Sequence, residues 1–146
     1  MEIIRLIVAG AIATSIMTAF SYILSNLLNK QFREPELLNI VLSRSDFFRL
    51  ELSKNSSAGW ILHYLIGWIF VVVFEIIWKL EFIPISISSG AILGLAAGII
   101  GVLGWKLFFY LSKNPPETNW DIEYYLQLIV AHIIFGVSAA VVYNIW

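Results

Sequence analysis

The two histidines of this sequence begin the same short phrase, and they are the side chains best suited to chemistry. Gly67 follows His63 by one helical turn, and Gly136 follows His132 in the same way. An imidazole can bind a metal or exchange a proton near neutral pH, and the glycine removes bulk beside the ring. These four residues, with Tyr143 on the same helical face as His132, are the candidate ligand-binding residues.

Four more polar residues lie inside apolar stretches and form a candidate polar path. Thr14 and Thr18 are hydroxyl groups at helical spacing, and Glu75 and Lys106 are charged. Each has a structural alternative. The hydroxyls can bond backbone or neighbouring helices, Glu75 can pair with Lys79 four residues later, and Lys106 can extend its ammonium group to the membrane surface.

The composition indicates an integral membrane protein. Of the 146 residues, 60% are hydrophobic and 13% are charged, far from the balance of a soluble domain. The sequence has no cysteine, which excludes disulfides, thiolate metal sites and thiol catalysis. A net charge of -1 provides no attraction for nucleic acid, so no nucleic-acid partner is expected. The sequence has no paired carboxylates, no nucleophile elbow and no phosphate-binding glycine loop, so none of these motifs indicates an enzyme.

Four stretches are long enough to cross a bilayer, which takes ~20 apolar residues in a helix. They cover about 6–28, 58–78, 85–111 and 124–146. Tryptophan and tyrosine residues cluster near the ends of these stretches, where amphipathic rings prefer the headgroup region. Ser56 or Ser57 is a suitable N-cap for the second stretch, and Pro84 suits the start of the third. The sequence therefore predicts one all-α transmembrane domain, a bundle of four membrane-spanning helices.

The first loop, residues 31–57, contains a further helical pattern. Apolar residues at helical spacing run from Pro35 to Leu42, and Phe47 and Phe48 follow. Such a segment can lie flat in the membrane interface as an amphipathic helix. Alternatively, it caps one end of the bundle, and both interpretations stay open.

Cationic residues are concentrated in the first and third loops. Six lysines and arginines, including Arg49, lie there, against Arg5 and Lys79 at the opposite side. The positive-inside rule then places both loops in the cytoplasm and both termini outside. The chain is thus expected to be a multi-pass protein of a cell membrane.

The two halves of the sequence share more than the histidine phrase. Gly10 aligns with Gly90, and Thr14 aligns with Gly94. This pattern predicts a duplicated two-helix hairpin, whose copies are related by an axis along the membrane normal. Small residues at such spacing let helices approach closely in lipid. Few polar groups could seal a pathway inside one copy, so a homo-oligomer or a membrane partner is expected.

Counting from Trp78 and Trp146 places the two histidine rings at almost the same depth in the membrane. Three interpretations follow. The histidines bind or pass a small solute, an ion or a lipid between the repeats, or they hold haem b from two helices. In the third interpretation they bond neighbouring helices, and the protein is a structural or assembly subunit. No cofactor is expected outside the haem b interpretation, and two histidines fall short of a zinc site.

These patterns together resemble a known group of proteins. They are Gly-Ala-Ile-Ala-Thr in the first span, His-x3-Gly in the second, a glycine-rich third span, and Ala131-His132-x3-Gly136 before Tyr143. The order is similar to that of small four-span bacterial inner-membrane proteins of the YagU-like group, which are domains of unknown function. The resemblance implies the four-helix fold and a bacterial inner membrane, and it implies no activity.

Overall fold

The computed structural model of the protein describes residues 2–45 and 51–146. Five α-helices occupy these residues: α1 (Glu2–Leu28), α2 (Glu34–Ser43), α3 (Ser57–Lys79), α4 (Ile87–Leu111) and α5 (Ile122–Ile145). All except α2 are long and apolar enough to cross a membrane. A single turn of 3-10 helix, Glu117–Trp120, precedes α5. The prediction of an all-α fold with four candidate membrane spans is confirmed.

Polar side chains set where the long helices begin. Ser56 caps α3 and accepts a hydrogen bond from a backbone N–H of its first turn, and Asp121 does the same for α5. Ser86 and Ser89 form a reciprocal capping box at the start of α4. This box places the first residue of α4 at Ile87, slightly later than the proline in the sequence suggested.

The close contacts between the long helices form a row and not a closed ring. α5 contacts α4 and α1, and α1 contacts α3 in turn. The structure describes the whole of α3 and the whole of α4, and these two helices do not pack closely against each other. The bundle is therefore less tightly closed along the side between α3 and α4.

Glycines bring the helices of each hairpin together. A Cβ atom on Gly67 of α3 would collide with the Thr14 side chain of α1, and a Cβ on Gly136 of α5 would collide with the Gly90 carbonyl of α4. Both glycines of the histidine phrases are thus packing residues. In each hairpin the glycine of the histidine phrase thus lies against the partner helix, whereas the origin of the hairpins by duplication stays a prediction.

The short helix α2 folds back against the start of α3, and most of its residues are buried. The Asn39 amide group donates hydrogen bonds to the carbonyls of Lys54 (3.0 Å) and Ser56 (2.7 Å), and its oxygen accepts one from the Gly59 N–H (2.8 Å). A Cβ on Gly59 would collide with the Pro35 carbonyl, so the two backbones are in close contact. The loop helix therefore caps this end of the bundle.

The first and third loops meet at the same end. The Arg44 guanidinium group donates to the Asn114 carbonyl (2.8 Å), and the Lys113 N–H donates to the Arg44 carbonyl (3.2 Å). Phe47, Phe48 and Arg49, which entered the sequence predictions for the first loop, lie outside the described residues.

Candidate functional site

A cavity of about 180 Å³ lies between α3 and α4, and both histidines line it. Every long helix and α2 contribute to its wall. Among the lining residues that the structure describes, the ionisable ones are Glu34, His63 and His132, and the remainder is largely apolar, with several glycines. The shared depth expected for the two rings thus corresponds to one common space.

The cavity reaches the side of the bundle. Ile100 of α4 lines it and is 57% exposed, so this part of the wall continues onto the outer surface of the helices. Ile66 and Phe70 of α3 and Gly104 and Phe108 of α4 also line it. The opening therefore lies among the apolar faces of two candidate membrane spans.

The His63 ring is held by a hydroxyl group of α1. Its Nε2 lies 2.9 Å from Thr18 Oγ1, and that oxygen lies 2.6 Å from the Thr14 carbonyl oxygen. Because the hydroxyl has one proton and gives it to the carbonyl, it accepts the second bond from Nε2–H. The neutral ring then has a free lone pair on Nδ1, which has no hydrogen-bond partner among the described residues.

The His132 ring is held by its own helix. Nδ1 lies 2.7 Å from the Leu128 carbonyl oxygen, so Nδ1 carries the proton and Nε2 has the lone pair. No described residue bonds Nε2. A Cβ on Gly101 would lie only 3.1 Å from the ring, so the glycine provides the space that the ring occupies. Each histidine therefore has one unused hydrogen-bond acceptor.

Glu34 is the third ionisable residue of the cavity, and it comes from the loop helix. Its side chain is buried, with 2% of the residue exposed. Oε1 accepts hydrogen bonds from Ser21 Oγ (2.8 Å) and Gln127 Nε2 (3.4 Å), whereas Oε2 is buried without a partner in the described part of the chain. Burial raises the pKa of Glu34 to about 7, against the lowering effect of its hydrogen bonds.

Sequence reasoning missed Glu34 and Gln127 as site residues. Glu34 precedes Pro35 at the start of a helix, where an acidic residue is common for reasons of helix stability alone. Gln127 carries a weak signal, because it lies four residues before Ala131 on the small-residue face of α5. Only the packing of α2 against the bundle brings the two side chains together.

The candidate ligand-binding residues lie in three places. His63, His132 and Gly67 line the cavity, whereas Gly136 packs against α4. Tyr143 lies in a separate cluster near the start of α1. The Arg5 guanidinium group lies 4.5 Å from the centre of its ring, and the Trp78 ring lies 5.0 Å away.

The residues of the candidate polar path do not form one line. Glu75 pairs with Lys79, as the four-residue spacing suggested; Nζ and Oε1 are 3.0 Å apart, although their geometry is not that of a hydrogen bond. Arg5 lies 3.9 Å from the same oxygen, at the end of the bundle opposite α2. Lys106 is exposed, and its Nζ lies 5.4 Å from the centre of the Tyr125 ring.

The two threonines of that candidate path lie between α1 and α3. Thr18 reaches the cavity wall through its bond to His63, and Thr14 Oγ1 is buried without a partner among the described residues. Thr14 also fills the space beside Gly67. The threonines therefore hold α1 against α3.

The cavity does not fit a haem. Its volume of about 180 Å³ is close to the ~150 Å³ that accommodates one benzene ring. A macrocycle of four pyrrole rings needs far more room. Within residues 2–45 and 51–146, no group of three or more histidine, cysteine, aspartate or glutamate side chains could hold a metal ion.

No protein-family model matches the chain, and no curated protein or solved structure matches it either. The resemblance to the YagU-like group stays a prediction. Function is therefore inferred from the chemistry of the cavity.

Proposed function

We propose that this protein binds a small lipophilic molecule in the cavity between α3 and α4. The observation that carries the proposal is that one apolar space joins two imidazoles to an opening on the side of the bundle. Small-molecule sites are commonly apolar pockets with a few convergent polar groups. The volume of about 180 Å³ suits a molecule, or a part of one, near the size of a substituted benzene ring.

The free nitrogen atoms define the polar end of this molecule. Nδ1 of His63 and Nε2 of His132 are both acceptors, so they favour a ligand that donates a hydrogen bond. The side opening favours access from the lipid, because α3 and α4 present apolar surfaces there. Transport across the membrane would need an additional exit for the molecule, so we limit the proposal to binding from the lipid phase.

A structural role for the histidines is the competing interpretation. The bond between His63 and Thr18 supports it, since it joins α3 to α1. Two observations favour ligand binding instead. The hydrogen bond of His132 lies within α5 and so joins no two helices, and a structural clasp needs no cavity beside both rings. A purified protein without a Soret absorption band would also separate this proposal from the haem interpretation.

We infer further that the protein resides in a bacterial inner membrane with both termini outside, and that it acts as a homo-oligomer or with a membrane partner. The cationic loops support the orientation. The sequence has no cysteine, so single cysteines can report it cleanly. In intact cells we expect an impermeant maleimide to label Glu81→Cys and to leave Glu117→Cys unlabelled. Labelling of Glu117→Cys alone would show that the orientation is the reverse of the one proposed.

The histidines themselves provide the test of ligand binding. Because the chain has only two, nitrogen-15 histidine labelling gives a ring spectrum with two residues. We expect 4-propylphenol, added to the protein in lipid nanodiscs, to shift the signals of His63 Nδ1 and His132 Nε2. The hydrogen-bonded nitrogens should move less, because they already have partners within the protein.

A blocking variant makes this test specific. Gly104 lines the cavity, and a Cβ there would meet no atom within 4 Å, so Gly104→Leu should fill the space and abolish the shifts. Leu107→Ala is the control on the same helix, since Leu107 is 55% exposed. Unshifted spectra in the wild type, or shifts that survive Gly104→Leu, would contradict the proposed binding site.

A further inference from the structure

We propose that the ligand of the cavity is a lipophilic organic cation, an amine or ammonium compound, which Glu34 holds by its carboxylate in exchange for a proton. This inference rests on the proposed function and names the class of ligand for the same cavity.

The polar groups around the cavity are complementary to positive charge. Glu34 is an acid, and His63 and His132 each offer a lone pair. No lysine or arginine occurs among the described residues that line the space. Arg33 precedes Glu34 in the sequence, but its guanidinium group pairs with Glu36. Nη1 of Arg33 lies 3.0 Å from Oε1 of Glu36. An anionic ligand would meet a carboxyl group and no cationic partner.

The apolar wall also suits a cation. Aromatic side chains supplied by α3, α4 and α5 line the cavity: Phe70, Trp105, Phe108 and Phe135. The faces of such rings attract cations, and aromatic cages are a common way of binding quaternary ammonium groups. A neutral apolar molecule would gain from the same wall but would leave the carboxyl group without a partner.

The buried carboxyl group requires a partner that the described protein does not supply. Oε2 of Glu34 has no hydrogen-bond partner among residues 2–45 and 51–146, although buried polar atoms are nearly always bonded. An isolated buried carboxylate is unstable, so the group is neutral or paired. The protonated acid satisfies this condition in the empty cavity. When a cation enters, the acid releases its proton to water and the carboxylate pairs with the cation, so the net charge of the cavity is unchanged.

Other titratable groups surround Glu34, so a test of its role needs a variant of Glu34 itself. Tyrosines titrate far above neutral pH in water. The two histidines can titrate near neutral pH in water, so a pH effect alone would not identify Glu34. The titratable or charged groups facing it are Tyr22 from α1, Arg33 just before α2, Glu36 from α2, His63 from α3, and Tyr124 and His132 from α5, whereas α4 contributes the uncharged Trp105.

A matched pair of probes separates charge from shape. Benzyltrimethylammonium carries a fixed positive charge, and neopentylbenzene has the same shape with carbon in place of nitrogen. We expect the protein in nanodiscs to bind the cation about tenfold more tightly at about pH 8 than at about pH 6, since the pKa of Glu34 is about 7. The affinity for neopentylbenzene should be the same at both pH values.

Two variants at neighbouring carboxyl groups complete the experiment. Glu34→Gln should lose the pH dependence and the preference for the cation while it still binds neopentylbenzene. Glu36→Gln is the control, because Glu36 pairs with Arg33 and Lys54 and does not line the cavity. This control should behave as the wild type does.

Proton release from the wild type is a measurement independent of any variant. In weakly buffered solution at about pH 6, binding of benzyltrimethylammonium should release about one proton per cation. No release, or a cation preference that persists in Glu34→Gln, would overturn this inference. If neopentylbenzene binds as tightly as the cation at both pH values, the proposed function stands and the cation inference fails. If neither probe binds but 4-propylphenol shifts the histidine signals, the cation inference alone fails. If 4-propylphenol shifts no signal either, both fail.

Discussion

Nε2 of His63 lies 2.9 Å from Thr18 Oγ1, and this bond joins α3 to α1 beside the cavity. The Thr18 hydroxyl donates its own proton to the Thr14 carbonyl, so the chain of bonds runs in one direction from the ring to the backbone. One threonine thereby fixes both the position and the tautomer of the imidazole. The nitrogen left over is the one available to a ligand.

Removing that hydroxyl should destabilise the protein. In Thr18→Val the buried Nε2–H of His63 loses its acceptor, and an unpaired buried donor costs about 1–3 kcal/mol. We expect a lower unfolding temperature in detergent, together with a mixture of His63 tautomers in the nitrogen-15 spectrum. Thr18→Ser keeps the hydroxyl and should remain closer to the wild type. Equal stability of the two variants would contradict the role given to this bond.

Substitution of glycine by alanine should change the stability of the bundle differently at Gly136 and at Gly104. In Gly136→Ala the new methyl group meets the Gly90 carbonyl, a backbone atom that cannot rotate away, so we expect a loss of about 1–3 kcal/mol. In Gly104→Ala the methyl group meets no atom within 4 Å, and the higher helix propensity of alanine should make the change neutral or slightly stabilising. Unfolding temperatures in one detergent provide the comparison. Similar losses in both variants would show that helix packing does not distinguish these positions.

Glu34 should make the protein less stable as the pH rises. Its pKa is raised from 4.5 to about 7, so the folded protein binds more protons than the unfolded chain between these values. The contribution of Glu34 to the free energy of unfolding therefore falls with increasing pH across this window, by an amount on the order of 3 kcal/mol at its upper end, and it is measured as the difference between the wild type and Glu34→Gln. Glu34→Gln should flatten this part of the profile of unfolding temperature against pH. A wild-type profile that rises between about pH 5 and 7 and is unchanged by the substitution would oppose this account.

Glu75 should affect stability without affecting the cavity. Its ion pair with Lys79 is half exposed on the lysine side, so we expect Glu75→Gln to lower the free energy of unfolding by about 1 kcal/mol or less. The ring signals of His63 and His132 should stay in place, because Glu75 does not line the cavity. Displaced histidine signals would indicate that the two ends of the bundle are coupled.

The fold follows from the sequence because membrane spans are local features. Length and hydropathy locate all four long helices, and the serine at position 56 marks the start of α3. Depth counting also brings His63 and His132 to one level, since two helices that cross the same bilayer share its scale. These inferences need no knowledge of which helices touch.

The remainder of the site depends on contacts between distant parts of the chain. Glu34 becomes a buried acid only because α2 folds back onto Ser21 of α1 and Gln127 of α5. For Tyr143, the prediction from the sequence overlooked the distance along the helix axis. It shares a helical face with His132, but eleven residues of rise, ~16 Å, separate the two side chains along the axis. A shared face therefore does not imply a shared site.

Under the proposed function, the gap between α3 and α4 also determines the phase from which the ligand reaches the protein. A ligand that enters sideways comes from the surrounding lipid, so its occupancy in the cavity would depend on how it partitions between membrane and water. At a fixed total amount of ligand, added lipid should dilute a strongly partitioning molecule and reduce its occupancy, even though the aqueous volume is constant. Among ligands that fit the cavity equally well, those most soluble in the bilayer would then occupy it at the lowest concentrations in water.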